Sequence, residues 1–259
     1  MSLVHLWGTN MQKLGKIKMN NIKKRVLILG GSSDIGIEVV QLFLRDNWEV
    51  DAHFFKNKKK LNNLRNNLKK LRLIKLNFVK HGNLRSENIL RKKFGKGYDS
   101  IINLVGYVDN KSFYNTNLKS ILRTLIVNTI TPILIEKILI KKMLFQKWGR
   151  ILNCSSIGVK YGGGKNTYNY SFSKHALEFI PSDYRIWAKK NIFINNLRVG
   201  VTDTKIHNKI KHKSLKRRIK LIPVGRMANK KEIARFIYQL SSQKNTFITG
   251  ETISIAGGE

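Results

Sequence analysis

Tyr170-Ser171-Phe172-Ser173-Lys174 is the segment of this 259-residue chain best suited to moving a proton. The phenol and the ammonium stand four residues apart in a predicted helix, so both side chains share one face. A nearby ammonium favours phenolate and lowers a tyrosine pKa. Bringing it from about 10 to about 7 takes roughly 4 kcal/mol of differential stabilisation. A tyrosine tuned in this way gives or takes the proton of a reacting hydroxyl near neutral pH. Lys174 has donors to spare for sugar hydroxyls. Alone the pair is weak evidence, because Y-x-x-x-K arises by chance in basic helices, where a solvated lysine stands beside a packed tyrosine.

A second cluster is Gly30-Gly31-Ser32-Ser33-Asp34-Ile35-Gly36, directly after the apolar run Val26-Leu27-Ile28-Leu29. Glycines there let the backbone bend sharply and approach a pyrophosphate seated on the next helix N-terminus. Gly30, Ser32, Ser33, Ile35 and Gly36 are the candidate cofactor-binding positions of this turn. Asp34 is an anion at a helix start and opposes phosphate, so its carboxylate is expected to turn away or to cap the helix.

The hydrophobic pattern supplies the scaffold for these clusters. Short apolar runs read as strands near 26–29, 49–55, 73–79, 99–104, 149–154, 192–197 and 252–256. Apolar residues at helical spacing read as helices near 35–44, 61–71, 118–138, 167–189 and 230–240. This alternation predicts one α/β domain over 23–259, a Rossmann-type doubly wound parallel β-sheet flanked by helices. No repeat or linker divides it. Residues 205–221 are a basic excursion and a candidate substrate lid. Residues 1–22 read as a flexible basic extension, either unstructured or preceding a later start at Met11 or Met19, with a transit peptide as the alternative.

Hydrophobic residues make up 42% of the chain, enough for a sizeable core, which excludes wholesale disorder. Fifty Lys+Arg against fifteen Asp+Glu give a formal charge of +35. Such a field draws anions: nucleic acid, phosphorylated cofactors, acidic carrier proteins, anionic lipid. The single cysteine, Cys154, excludes an internal disulfide and fits a reducing, cytoplasmic setting. The longest apolar stretch, 130–140, is broken by Pro132, Glu136 and Lys137, so no membrane span is expected. The histidines and the cysteine lack metal-ligand spacing, and no metal is expected. The basic runs at 56–60 and 209–220 lack interleaved aromatic residues, which favours solvated charge over nucleic-acid binding. Gly162-Gly163-Gly164-Lys165-Asn166 lacks the hydroxyl residue and glycine spacing of a Walker loop.

Six features, the Gly30 turn among them, resemble in their order the short-chain dehydrogenase/reductase family. The turn at Gly30 is similar to its T-G-x-x-x-G-x-G, with Leu29 for Thr and Asp34 for the middle glycine. Asn103-Leu104-Val105-Gly106 resembles N-N-A-G, and Asn128 matches a mid-helix asparagine. Asn153-Cys154-Ser155-Ser156 resembles N-x-S-S, fourteen residues before Tyr170. Val199-Gly200-Val201-Thr202-Asp203-Thr204 resembles P-G-x-V-x-T, and Pro223 to Gly258 resembles the C-terminal pattern, with Ala256 for Asp.

The resemblance implies an enzyme in which Tyr170 is the acid/base and Ser156 orients the substrate oxygen, with Ser155 as runner-up. It further implies that Lys174 tunes the tyrosine and holds ribose, and that Asn128 anchors a water relay. Asn103 and Gly106 would support the adenine side, and Gly200, Thr202 and Thr204 would embrace the nicotinamide. After the second strand, where NAD-dependent members carry an acid, the sequence reads His53-Phe54-Phe55-Lys56, and Lys56 favours NADP(H) over NAD(H). Asn83 is a loose match to the family's adenine-contacting Asp. The implied activity is reduction of a carbonyl to a secondary alcohol, similar to 3-oxoacyl-carrier-protein reductases. The substrate would be a small molecule or carrier-linked, and the assembly a homodimer or homotetramer. Alternatives on the same fold are an enzyme of surface-polysaccharide or sugar biosynthesis, a non-catalytic NADP-binding regulator, and a nucleic-acid-binding protein.

Overall fold

Seven parallel strands form one sheet in the order β3-β2-β1-β4-β5-β6-β7. They are β1 (Arg25–Leu29), β2 (Glu49–Phe54), β3 (Leu71–Lys75), β4 (Ser100–Asn103), β5 (Gly149–Ser156), β6 (Ile192–Val199) and β7 (Thr252–Ile255). The computed structural model describes residues 24–259 apart from 68, 82–85, 96 and 211–213. The extension over 1–22 and Asn83 lie outside the described residues. Strand order turns back at β1, so the C-terminal ends of β1 and β4 open a crevice where ligands bind in doubly wound sheets.

The helices are α1 (Asp34–Arg45), α2 (Lys59–Asn67), α3 (Ser86–Phe94), α4 (Leu118–Leu125), α5 (Thr131–Gln146), α6 (Tyr168–Leu177), α7 (Tyr184–Ala188), α8 (Leu215–Lys220) and α9 (Lys230–Ser241). On one face of the sheet α1 and α9 bury Val39, Val40, Phe43, Ile233 and Ile237 against Val26, Ile28 and Leu152. On the other, α3 and α5 bury Leu90, Phe94, Ile135, Leu139 and Met143 against Leu27, Leu29 and Ile101. β1 alternates between the two cores, as its two-residue period requires.

Several boundaries differ from the sequence reading, each for a local reason. The helix expected over 167–189 is two helices, α6 and α7, separated by the segment holding Pro181, which lacks an N–H and pushes its predecessor out of helical geometry. β3 begins at Leu71, expected as the end of the preceding helix, and ends at Lys75, and residues 78–79 of the expected strand lie in the 3-10 turn Phe78–His81. β5 runs past Cys154 and pairs Ser155 and Ser156 with Arg198 and Val199, so both serines are strand residues. The long helix is α4 joined to α5 by a π-helical turn, Ile126–Ile130. Together they make Leu118–Gln146, the one helix among the described residues long and apolar enough to cross a membrane. Reading uninterrupted apolar runs missed this, because the helix tolerates Glu136 and Lys137. Its inner face, with Ile135, Leu139 and Met143, packs on the sheet as a core helix does.

Candidate active site

Ser156, the last residue of β5, neighbours Tyr170, and its hydroxyl acts to lower the phenol's pKa. The same oxygen accepts from Gly158 N at 3.2 Å and so caps the following 3-10 turn, Ile157–Tyr161. Ser155 faces elsewhere and donates to Glu178 Oε1 at 2.6 Å, a carboxylate also gripped at both oxygens by Arg198. Strand alternation separates the two serines, and Ser156 is the one beside Tyr170.

Lys174 is buried one turn after Tyr170. Its ammonium donates to Val105 O at 2.7 Å and to Cys154 O at 2.6 Å, tying α6 to the ends of β4 and β5. Burial draws Lys174 down to about 8, while Cys154 and Glu178 pull it back up. Burial also pushes the Tyr170 phenol up to about 12; the neighbouring Ser156 hydroxyl opposes this and Cys154 adds to it. This corrects the expectation of a phenol made acidic by its lysine. Two of the ammonium's donors are committed to carbonyls, and desolvation dominates the phenol.

Asn128 lies in the π-helical turn and is fully buried. It accepts from Tyr107 N at 2.7 Å and donates to Tyr107 O at 3.0 Å and to Ser173 Oγ at 2.9 Å. Ser173 in turn donates to Tyr170 O at 2.7 Å, so the amide side chain links the loop after β4 to the backbone of α6. Asn103 bridges the neighbouring strands: it donates to Asn153 Oδ1 at 3.1 Å and accepts from Val105 N at 3.1 Å. Asn153 reaches toward Glu136, a buried carboxyl that desolvation raises to about 7.

The turn after β1 is shaped by close backbone approaches. Gly30 has φ +78°, and a Cβ there would sit 3.0 Å from Leu104 C and O. Gly30 N donates to His53 Nδ1 at 3.2 Å, while His53 Nε2 meets Leu76 O at 3.1 Å. This places the ring proton on Nε2, and burial holds the ring neutral down to about 4. Ser33 caps α1 by accepting from Gly36 N at 3.0 Å. A Cβ on Gly36 would lie 2.6 Å from Gly30 O and 2.8 Å from Gly31 O. Gly36→Ala is therefore expected to destabilise the fold by about 2 kcal/mol and to weaken dinucleotide binding. Urea denaturation and a binding titration check it, and an unchanged midpoint would contradict the packing.

Ser32 and Ile35 are half-buried in this turn, and Lys56 is exposed beside the Phe55 ring. Gly106 faces a space bordered by Tyr170 and Ile206: a Cβ there would meet Ile206 Cδ1 at 3.7 Å and Tyr170 Oη at 4.0 Å. Gly200 passes so close to Ala256 that a Cβ would sit 2.6 Å from its Cα. Thr202 donates to Gly200 O at 3.0 Å, and Thr204 donates to Thr202 O at 3.2 Å. Among the described residues, no group of three or more His, Cys, Asp or Glu could hold a metal. Sequence reasoning passed over His53, Ile206 and the carbonyls of Val105 and Cys154. Backbone acceptors carry no sequence signal, and His53 was legible only as part of an apolar strand.

The profile described as enoyl-(acyl carrier protein) reductase matches residues 30–259. The chain belongs to the short-chain dehydrogenase/reductase family. Among relatives of this short-chain dehydrogenase/reductase, a 3-oxoacyl-[acyl-carrier-protein] reductase of Aquifex aeolicus is 31% identical over 183 residues, 68% of this chain and 73% of that protein. One from Buchnera aphidicola subsp. Acyrthosiphon pisum is 26% identical over 257 residues, 97% of this chain and 94% of that protein. The solved structure of ElxO with NADP bound superposes with a TM-score of 0.76 at 26% identity, covering 92% of this chain and 98% of that one.

Proposed function

We propose that this chain is an NADP(H)-dependent reductase that converts a 3-oxoacyl thioester, presented by an acidic carrier protein, to the 3-hydroxyacyl thioester. The observation that carries this reading is the neighbouring Tyr170 and Ser156 hydroxyls, with the phenol beside Gly106 and the Lys174 ammonium one helical turn along. Two hydroxyls together suit a carbonyl oxygen that gains negative charge as it is reduced.

The residues present fit a dinucleotide. Gly30 and Gly36 admit the backbone approaches that a phosphate-binding turn needs, and Ser33 opens α1 beside them. No carboxylate follows β2, whose Asp51 is buried in a pair with Arg72, and Lys56 stands exposed there for a 2′-phosphate. Gly200, Thr202 and Thr204 would flank the nicotinamide, and Asn103 and Gly106 the crevice beside β4. NADPH, when bound, supplies the hydride that reduces the carbonyl carbon. Ser156 and Tyr170 donate to the carbonyl oxygen, and Tyr170 Oη releases its proton to that oxygen. The charge on Lys174 stabilises the phenolate left behind, and its remaining N–H is free to hold ribose. Asn128 keeps α6 and the Tyr107 loop in register for this transfer.

Lys56→Asp is expected to weaken NADPH binding relative to NADH by about tenfold or more. Fluorescence titration of both nucleotides checks it, and equal effects on the two would contradict the 2′-phosphate role. The formal charge of +35 suits an acidic carrier protein. Exposed Leu118 and Leu122 on α4, with Phe172 and Phe179 on and after the adjoining α6, support a homodimer or homotetramer assembled through these helices. The function itself is tested by incubating the protein with NADPH and a panel of ketones that includes acetoacetyl thioesters, following nucleotide absorbance. Turnover of the thioester is expected; saturable NADPH binding without turnover of any ketone would leave only a regulator.

A further inference from the structure

Asp34 occupies the point of the phosphate-binding turn where an anion is least welcome, at the start of α1. It is not needed there as a helix cap, because Ser33 already accepts from Gly36 N. Its carboxylate instead reaches two distant segments. Oδ2 accepts from Lys205 N at 2.9 Å, across 171 residues of sequence. Oδ1 accepts from the Lys60 ammonium at 3.0 Å, on the first turn of α2. Lys205 begins the 3-10 turn Lys205–Lys209, and the next residue, Ile206, borders the space in front of Gly106 together with Tyr170. One carboxylate thus joins the phosphate turn to the segment whose Ile206 borders Gly106 alongside Tyr170.

We propose that Asp34 is a positioning residue that clamps the 205–209 turn, with Ile206, over Tyr170 and thereby gates NADP(H) exchange. The inference rests on the reading of this site as a dinucleotide site. The Lys205 bond is the stronger half of the clamp, since a backbone N–H donates to an ionised acceptor. The pair with Lys60 is half-exposed and weak. Those two donors offset burial and hold the Asp34 carboxyl below its usual range, so it stays ionised at neutral pH.

Three variants separate the clamp from its charge. Asp34→Asn keeps a side-chain oxygen for Lys205 N but loses the ion pair. Asp34→Gly removes both. Lys205→Pro removes the N–H together with the Lys205 side chain and its charge but leaves the Asp34 carboxylate and its Lys60 pair in place; Thr204 is extended, φ −150° and ψ 156°, which suits a residue before proline, and proline is tolerated at the first position of a helical turn. Hydrogen–deuterium exchange is measured on the full chain without nucleotide, and NADPH dissociation is followed by stopped-flow fluorescence. Asp34→Gly is expected to speed exchange of the Lys205 amide about tenfold. Asp34→Gly and Lys205→Pro are both expected to speed NADPH dissociation about tenfold, with Asp34→Asn within about threefold of the parent protein in both assays. Unchanged exchange in Asp34→Gly would overturn the clamp. Faster exchange with unchanged NADPH dissociation would overturn the gating while leaving the dinucleotide reading intact. Failure of the parent protein to bind NADPH overturns gating and that reading together, and the exchange data still report the clamp separately.

Discussion

Tyr170→Phe is expected to lower kcat for ketone reduction about a thousandfold while leaving NADPH affinity within about threefold. The phenol neighbours Ser156, and the ring, which borders Gly106, is retained by phenylalanine. On the proposed mechanism, what disappears is the proton that the carbonyl oxygen must receive. Burial holds the phenol up to about 12, so at neutral pH the side chain is in its acid form and ready to donate. Steady-state rates and a separate nucleotide titration measure the two quantities. A loss of less than about tenfold in kcat would assign the proton to another group. Ser156→Ala on the same assay distinguishes orientation from proton donation: a smaller loss in kcat, about a hundredfold, is expected for the orienting hydroxyl.

The second large effect belongs to Lys174. Its ammonium bonds two backbone carbonyls, Val105 O and Cys154 O, which ties α6 to β5 and the loop after β4, and on the proposed mechanism the same charge stabilises a developing phenolate. Lys174→Met fills a similar volume and removes both functions. A loss of about a thousandfold in kcat/KM is expected, with NADPH affinity weakened about tenfold, a combination that Tyr170→Phe does not show. The protein also reports Lys174 through pH. Burial lowers its pKa from 10.5 to about 8, so reduction is expected to slow as pH rises through about 8 and the charge is lost. Stability runs the other way. Between about 8 and 10.5 the unfolded chain keeps a proton that the folded chain has shed, so this group makes unfolding harder as pH rises across that window. Urea denaturation at several pH values shows the effect as a difference between the parent protein and Lys174→Met. Parallel curves for the two would contradict the assignment.

Much of this architecture was legible in the residue order because the strands are short, apolar and regularly spaced, and the helices between them keep a consistent apolar face. The parallel sheet follows from that alternation; the crevice at β1 and β4 depends on the strand order, which the alternation does not give. Tyr170, Lys174 and Ser156 were legible as candidates because each is a side chain in a spaced motif. The state of Tyr170 was not, since spacing gives no measure of desolvation: the lysine expected to acidify the phenol donates to carbonyls whose positions depend on where β4 and β5 end. Asp34 was legible as an oddity within its motif, but Lys205, its partner in the folded chain, lies 171 residues away. The break near Pro181 could have been read from the imino acid itself. The extension of β5 through Ser156 could not, because it depends on pairing with β6.

The most direct test of the account is a crystal structure of the protein with NADP⁺ and a 3-hydroxyacyl thioester. The hydroxyl oxygen of the product is expected within about 3 Å of both Tyr170 Oη and Ser156 Oγ. A product oxygen bound away from both hydroxyls, with Tyr170 turned to solvent or packed against protein alone, would contradict it.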